Sequence, residues 1–317
     1  MAPDRRTSAP AVDAACAAAL AQAPIDIGAL LARLDDLTLQ ETRATFAALP
    51  RPEPDPTVEF EDHVVGEGPV RLRVHRPIGA DDALPCLYWI HGGGMVLGSY
   101  ADEGARLERW CSELRCAAAS VEYRLAPEHR YPAAIDDCLA GLSWLFDHAA
   151  EIGIDRARIG IGGASAGGGL AAALALRVRD ETDLTLGFQL LVYPMLDDRQ
   201  VTESSRWPGT LWPPTANHFG WSAYLGEAKG GSDVPAAAAA ARATDLSALP
   251  AAYVMVGSPD GFVDEDVAYA ERLRQAGVDV DLHVYAGGFH GFDVAAADAP
   301  LAARANRDIE EWLRAHL

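Results

Sequence analysis

The chain has 317 residues, and 26 basic against 46 acidic side chains leave a formal charge of −20. That surface charge repels nucleic-acid backbones and anionic membranes, and no window holds 18 uninterrupted strongly apolar residues, so neither nucleic acid nor a membrane is an expected partner. Lys229 is the only lysine, which excludes an S-x-x-K acyl-enzyme site and a G-K-[ST] phosphate loop.

The N-terminus carries Arg5-Arg6 and then an alanine-rich run, but Asp13 interrupts it and Val12 is its only large apolar residue before Leu20. That is too little apolar surface for an export signal, so a cytoplasmic location is expected. Residues 1–50 predict helical packing through Leu30, Leu34, Leu37 and Phe46, and the proline-rich run at 50–56 breaks the helix into an extended connector. Val58–Val65 and Val70–Arg76, alternating around Gly66 and Gly68, predict an antiparallel hairpin. From Cys86 onward short apolar runs alternate with helical patterns, the signature of βαβ units. The strands are predicted at 86–90, 117–121, 158–162, 188–193, 252–257 and 280–285, which makes eight with the hairpin. Helices are predicted at 133–148, 166–179, 266–276 and 299–315. The stretch 196–247, with Trp207, Trp212, Phe219 and Trp221, departs from that alternation and is open to two readings, a cap insertion or a long packed excursion. Five cysteines without C-x-x-C or zinc spacing point to reduced packing residues and to no metal site.

Chemistry concentrates at Gly163-Ala164-Ser165-Ala166-Gly167, between an apolar run and a helical pattern. That is the strand-turn-helix setting of a nucleophile elbow, where the chain turns so tightly that only small residues fit beside the serine. A dinucleotide-binding glycine turn fails on register, because its third glycine would fall at Ser165. A second cluster, His91-Gly92-Gly93-Gly94, lets backbone N–H groups approach an oxyanion, and Gly92, Gly93 and Ala166 are the expected donors. Of nine histidines, only His283, His290 and His316 follow both the serine and the late strands. His290, in the loop Gly287–Phe292, is the expected base, His283 lying within a strand and His316 at the terminus. Asp260, three residues past a predicted strand, is the preferred acid over Asp264, whose place at a helix start explains it as a cap.

Taken together, these segments resemble the hormone-sensitive-lipase-like, bacterial family IV esterases. The resemblance rests on His91–Gly94, Tyr123–Glu128 with Tyr131–Ala134, the Ser165 elbow, Tyr193-Pro194, the Asp260 loop with Asp264-Glu265, and Phe289–Phe292. It implies an α/β-hydrolase fold over 57–317, an eight-stranded mostly parallel sheet flanked by helices. It also implies a small helical cap drawn from residues 1–50 and 196–225, with Trp207, Trp212 and Phe219 as candidate pocket residues. The implied activity is serine carboxylesterase action on short-acyl esters, without cofactor, through an acyl-enzyme on Ser165. The same triad would serve a lactone, an acetylated metabolite or an amide. A non-catalytic small-molecule binder is the other reading, and such proteins usually lose a triad member. Two positions depart from the family: Ala164, commonly polar there, and Ser258-Pro259-Asp260-Gly261, where relatives usually carry apolar neighbours. The expected partner is a small-molecule ester, and the last strand, at a sheet edge, leaves room for a homodimer.

Overall fold

The computed structural model describes residues 8–317 apart from 24, 67 and 81; the Arg5-Arg6 start lies outside the described residues. Eight strands form one sheet: β1 (Val58–Val64), β2 (Arg71–Pro77), β3 (Leu84–Ile90), β4 (Ala117–Glu122), β5 (Ile154–Ala164), β6 (Phe188–Val192), β7 (Ala251–Gly257) and β8 (Val280–Tyr285). Their order is β1-β2-β4-β3-β5-β6-β7-β8. The first hairpin pairs antiparallel and β2 runs antiparallel to β4, whereas every later pair is parallel.

The helices are α1 (Ala14–Leu20), α2 (Ile27–Leu31), α3 (Leu39–Ala47), α4 (Gly104–Leu114), α5 (Ala133–His148), α6 (Ala166–Glu181), α7 (Pro214–Leu225), α8 (Val263–Gln275), α9 (Phe292–Ala295) and α10 (Pro300–His316). Successive side chains of β3 leave opposite faces of the sheet. Cys86, Tyr88 and Ile90 join a cluster with Leu142 of α5, Leu170 of α6 and Leu273 of α8. Leu87 and Trp89 join a second cluster with Leu107 and Trp110 of α4 and Ile309 and Leu313 of α10. Burial on both faces is why β3 reads as an unbroken apolar run, while β1, at the sheet's edge, is mostly exposed.

Two features differ from the sequence expectation. The spacing of Leu30, Leu34, Leu37 and Phe46 does not extend one amphipathic face, because Leu37 is 92% exposed. The Asp35 carboxylate accepts the N–H groups of Leu37 and Thr38, closing a turn that separates α2 from α3. Helix α4 lies where no helix was expected. Its apolar residues Leu107, Trp110, Cys111 and Leu114 recur at helical spacing, but Gly104 and several charged residues mask the pattern. Between β6 and β7 the stretch 196–247 folds into a 3₁₀ turn at Ser204–Arg206, then α7, then further turns, and buries Trp212, Trp221 and Tyr224. Among the described residues no helix is long and apolar enough to cross a membrane.

Candidate active site

The ends of β3, β5, β7 and β8 lie on one side of the sheet, where ligands bind in open parallel sheets. Strand β5 ends at Ala164 and α6 begins at Ala166, so Ser165 occupies the turn between them at φ +57°, in the left-handed region that favours glycine. The turn is fixed from below, because Ser165 N–H donates to the Val192 carbonyl at 2.9 Å and its carbonyl accepts from Met195 N–H at 2.9 Å. It is also crowded. A Cβ on Gly163 would sit 2.7 Å from the Ile90 carbonyl oxygen, and one on Gly167 would collide with the carbonyls of Ile90 and His91.

Across this turn the structure brings Ser165, His290 and Asp260 together. His290 Nε2 lies 2.9 Å from Ser165 Oγ, and His290 Nδ1 lies 2.8 Å from Asp260 Oδ2. Asp260 Oδ1 accepts the Phe262 N–H at 3.0 Å, so both carboxylate oxygens are engaged and the imidazole must offer its Nδ1 proton to Oδ2. That tautomer leaves Nε2 free to accept the serine proton. Edge-on contacts from Tyr193 and Phe262, at 4.7 and 5.0 Å between centroids, flank the ring. Asp264 is turned elsewhere: its Oδ2 accepts the Ser204 N–H at 2.9 Å. The unusual Ser258 also has a partner. Its hydroxyl accepts from Gly287 N–H at 3.0 Å, joining the acid loop to the histidine loop. The rings of His283 and His316 stack on Tyr253 and Trp312.

The glycine run passes directly beside the serine. A Cβ on Gly92 would lie 3.4 Å from Ser165 Cβ, and Gly93 takes φ +110°. Among the described residues the N–H groups of Gly92 and Gly93 have no backbone acceptor, and Ala166 opens α6, where the first N–H groups have no intrahelical partner. Gly92 and Gly93 line the same cavity as Ser165, and Ala166 follows the serine directly; N–H donors without acceptors are what a developing oxyanion requires. His91 is buried and stacked on Tyr123 at 4.2 Å, and its Nδ1 hydrogen-bonds the Gly92 carbonyl at 2.8 Å. Burial lowers its pKa to about 4, so it stays neutral and braces the glycine run.

A cavity of about 330 Å³ opens over Ser165. Ile27, Leu31 and Phe46 close it from the N-terminal helices, Leu211 and Trp212 from the stretch after β6, and Tyr193 and Val294 from the sides. Of the three aromatics expected in a pocket, Trp212 lines this cavity. Trp207 instead lines a separate small void with Phe262, and Phe219 packs against the main core. Helix α3 is held over the site by Arg43, which donates to the carbonyls of Val96 and Ala126 at 2.8 Å and pairs with Glu128 at 2.7 Å. The guanidinium pulls the Glu128 carboxyl down to about 2. Sequence reasoning did not single out Ile27, Leu31 or Leu211 as cavity residues, because an apolar side chain lining a pocket has the same pattern as one filling a core.

A serine on a strand-to-helix turn, hydrogen-bonded to a histidine that is hydrogen-bonded to an aspartate, defines the class as serine hydrolase. Comparison with known proteins agrees. Residues 87–294 match a family model described as alpha/beta hydrolase fold, and the chain belongs to that family. It is 32% identical over 289 residues to the esterase LipI of Mycobacterium tuberculosis, covering 84% of this chain and 85% of that protein. It is 35% identical over 261 residues to the carboxylesterase NlhH of the same organism, covering 80% and 82%. Among solved structures, a bacterial heroin esterase superposes with a TM-score of 0.87 at 36% identity, covering 96% of this chain and 98% of that one.

Proposed function

We propose that the protein is a serine carboxylesterase that cleaves short-acyl esters of small molecules through an acyl-enzyme on Ser165. The observation that carries this reading is the continuous hydrogen-bonded line from Ser165 Oγ through His290 to Asp260 at the floor of an apolar cavity. In the first step His290 Nε2 takes the serine proton as Oγ attacks the ester carbonyl, and the carbonyl oxygen becomes an oxyanion facing the N–H groups of Gly92, Gly93 and Ala166. His290 then protonates the leaving alkoxide, and Asp260 stabilises the imidazolium in between. Water repeats the sequence to release the acid. A cavity of about 330 Å³ lies at the small end of ligand pockets, which supports short acyl groups over long ones. Replacing Ser165 with Ala is expected to abolish turnover of p-nitrophenyl acetate and butyrate, and undiminished turnover removes the proposal.

Two further expectations belong to the same reading. All five cysteines are free thiols, which suits a reducing compartment such as the cytoplasm. Leu282 and Val284 on the edge strand β8 are 38% and 46% exposed, and a second copy of the chain would cover them as a homodimer. A monomeric mass by light scattering at micromolar concentration would overturn the dimer.

A further inference from the structure

His290 stands on weak backbone. Gly287 and Gly288 precede it, Gly291 follows at φ +78°, and α9 is a helix of only four residues. A helix that short does not hold itself in water, so the imidazole plane must be set from outside its own loop. The Asp260 hydrogen bond fixes Nδ1, and the tilt of the ring about it is set by the two rings that flank it, Tyr193 and Phe262.

A second anchor lies three residues further on. The Asp293 carboxylate is fully buried; it accepts from the Tyr193 hydroxyl at 2.8 Å and from Arg106 Nη2 at 2.5 Å. Its backbone carbonyl accepts from Asn306 at 3.0 Å. Arg106 rises from α4, with Glu103 at 3.6 Å and the rings of Trp89 and Trp110 at 5.6 and 5.7 Å. Two elements remote in sequence therefore converge on the turn that carries the base.

Tyr193 connects this anchor to the imidazole itself. Its hydroxyl holds Asp293, while its ring meets His290 at 4.7 Å and 62°. The residue sits at φ +36°, where a side chain other than glycine is rare, and its N–H donates to the Met255 carbonyl at 2.6 Å. Such a backbone persists only where its surroundings dictate it.

We propose that Tyr193, fixed by the buried Asp293–Arg106 pair, is a positioning residue that sets the orientation of His290 for proton transfer with Ser165. The inference rests on the esterase reading. The hydroxyl is the best probe, because removing one charge of a buried ion pair strains the whole fold.

Tyr193→Phe deletes that hydroxyl and keeps the ring. It is expected to lower kcat per titrated active site about tenfold or more, with KM within about twofold, since misaligning a general base slows chemistry more than binding. Active sites are counted by a p-nitrophenyl acetate burst. If each counted site turns over within about twofold of the wild-type rate, the proposal is overturned, because a purely structural role would reduce the number of working sites and not their rate. Asp293→Asn keeps an acceptor for the Tyr193 hydroxyl, so it should retain more turnover per site than Asp293→Leu; equal rates would also overturn it. Should the wild type cleave no ester, the esterase reading fails alone. The labelling rate of Ser165 by a fluorophosphonate, slower in Tyr193→Phe than in wild type, then supports positioning, and equal rates refute it.

Discussion

Gly94 lies flat against the indole of Trp212, at φ +63° and so close that a Cβ would overlap the six-membered ring. The glycine run beside Ser165 thus also seats the aromatic wall of the cavity. Gly94→Ala must displace Trp212 or the run itself, and we expect kcat/KM to fall roughly 100-fold, the scale of an ångström-sized misplacement near reacting atoms. Trp212→Ala in the same chain removes the collision and should restore part of the loss. A double-mutant cycle with a coupling energy near zero would refute the contact as the cause.

Asp260 and Asp264 make opposite demands on their variants. Asp260→Asn leaves a hydrogen-bonding group of the same shape but presents the wrong partner to His290 Nδ1, and kcat is expected to drop by about 10³-fold or more. Asp264→Asn weakens the contact to Ser204 N–H and removes one charge from the first turn of α8, for about 1 kcal/mol of stability and kcat within a few-fold of wild type. Steady-state rates and thermal midpoints on both variants decide it, and the reverse ranking would reassign the acid.

Most of this arrangement is legible in the sequence, for a physical reason. Ser165, His290 and Asp260 each follow a strand, and glycines mark where backbone must pass close, so local pattern and chemistry coincide. The eight strands are legible too: the central ones because burial on both faces leaves unbroken apolar runs such as 86–90, the first two because their alternation around Gly66 and Gly68 marks a hairpin. What stays hidden is whatever depends on distant segments meeting. Arg106 reads as one charge among several in a masked helix, and only the fold brings it to Asp293. Trp207, Trp212 and Phe219 look alike in sequence, and only the folded path of the turns before α7, and of α7 itself, separates the one that faces the cavity.

Acid should destabilise the protein through two histidines away from proton transfer. Burial lowers both His75 and His91 to about 4, with the Arg73 guanidinium adding to the effect at His75 and Asp62 opposing it. Glu108 also faces His75, at 3.7 Å. The unfolded chain binds those protons near 6.5, so this contribution is complete above about 6.5 and lost as pH falls toward about 4, by about 1.4 kcal/mol per pH unit for each histidine. Burial raises Glu265 and Asp266, whose effect runs the other way, so the raw curve mixes both. The difference between wild type and His75→Gln isolates one histidine. Wild type should lose its advantage across that window in urea titrations, and a difference independent of pH would refute the assignment.

The cavity wall predicts which acyl chains fit. Trp212 is the large aromatic closing the space above Ser165, whereas Phe219 packs against the core behind it. Trp212→Ala should therefore add room at the site and move the optimum in a p-nitrophenyl ester series from acetate or butyrate toward hexanoate and octanoate. Phe219→Ala removes apolar contacts without touching the cavity lining, so it should lower the thermal midpoint through about 2–3 kcal/mol of lost packing, its partial exposure keeping it below a fully buried phenylalanine. Its chain-length profile should match wild type. A shifted profile in Phe219→Ala with none in Trp212→Ala would place the acyl group on the other side of α7.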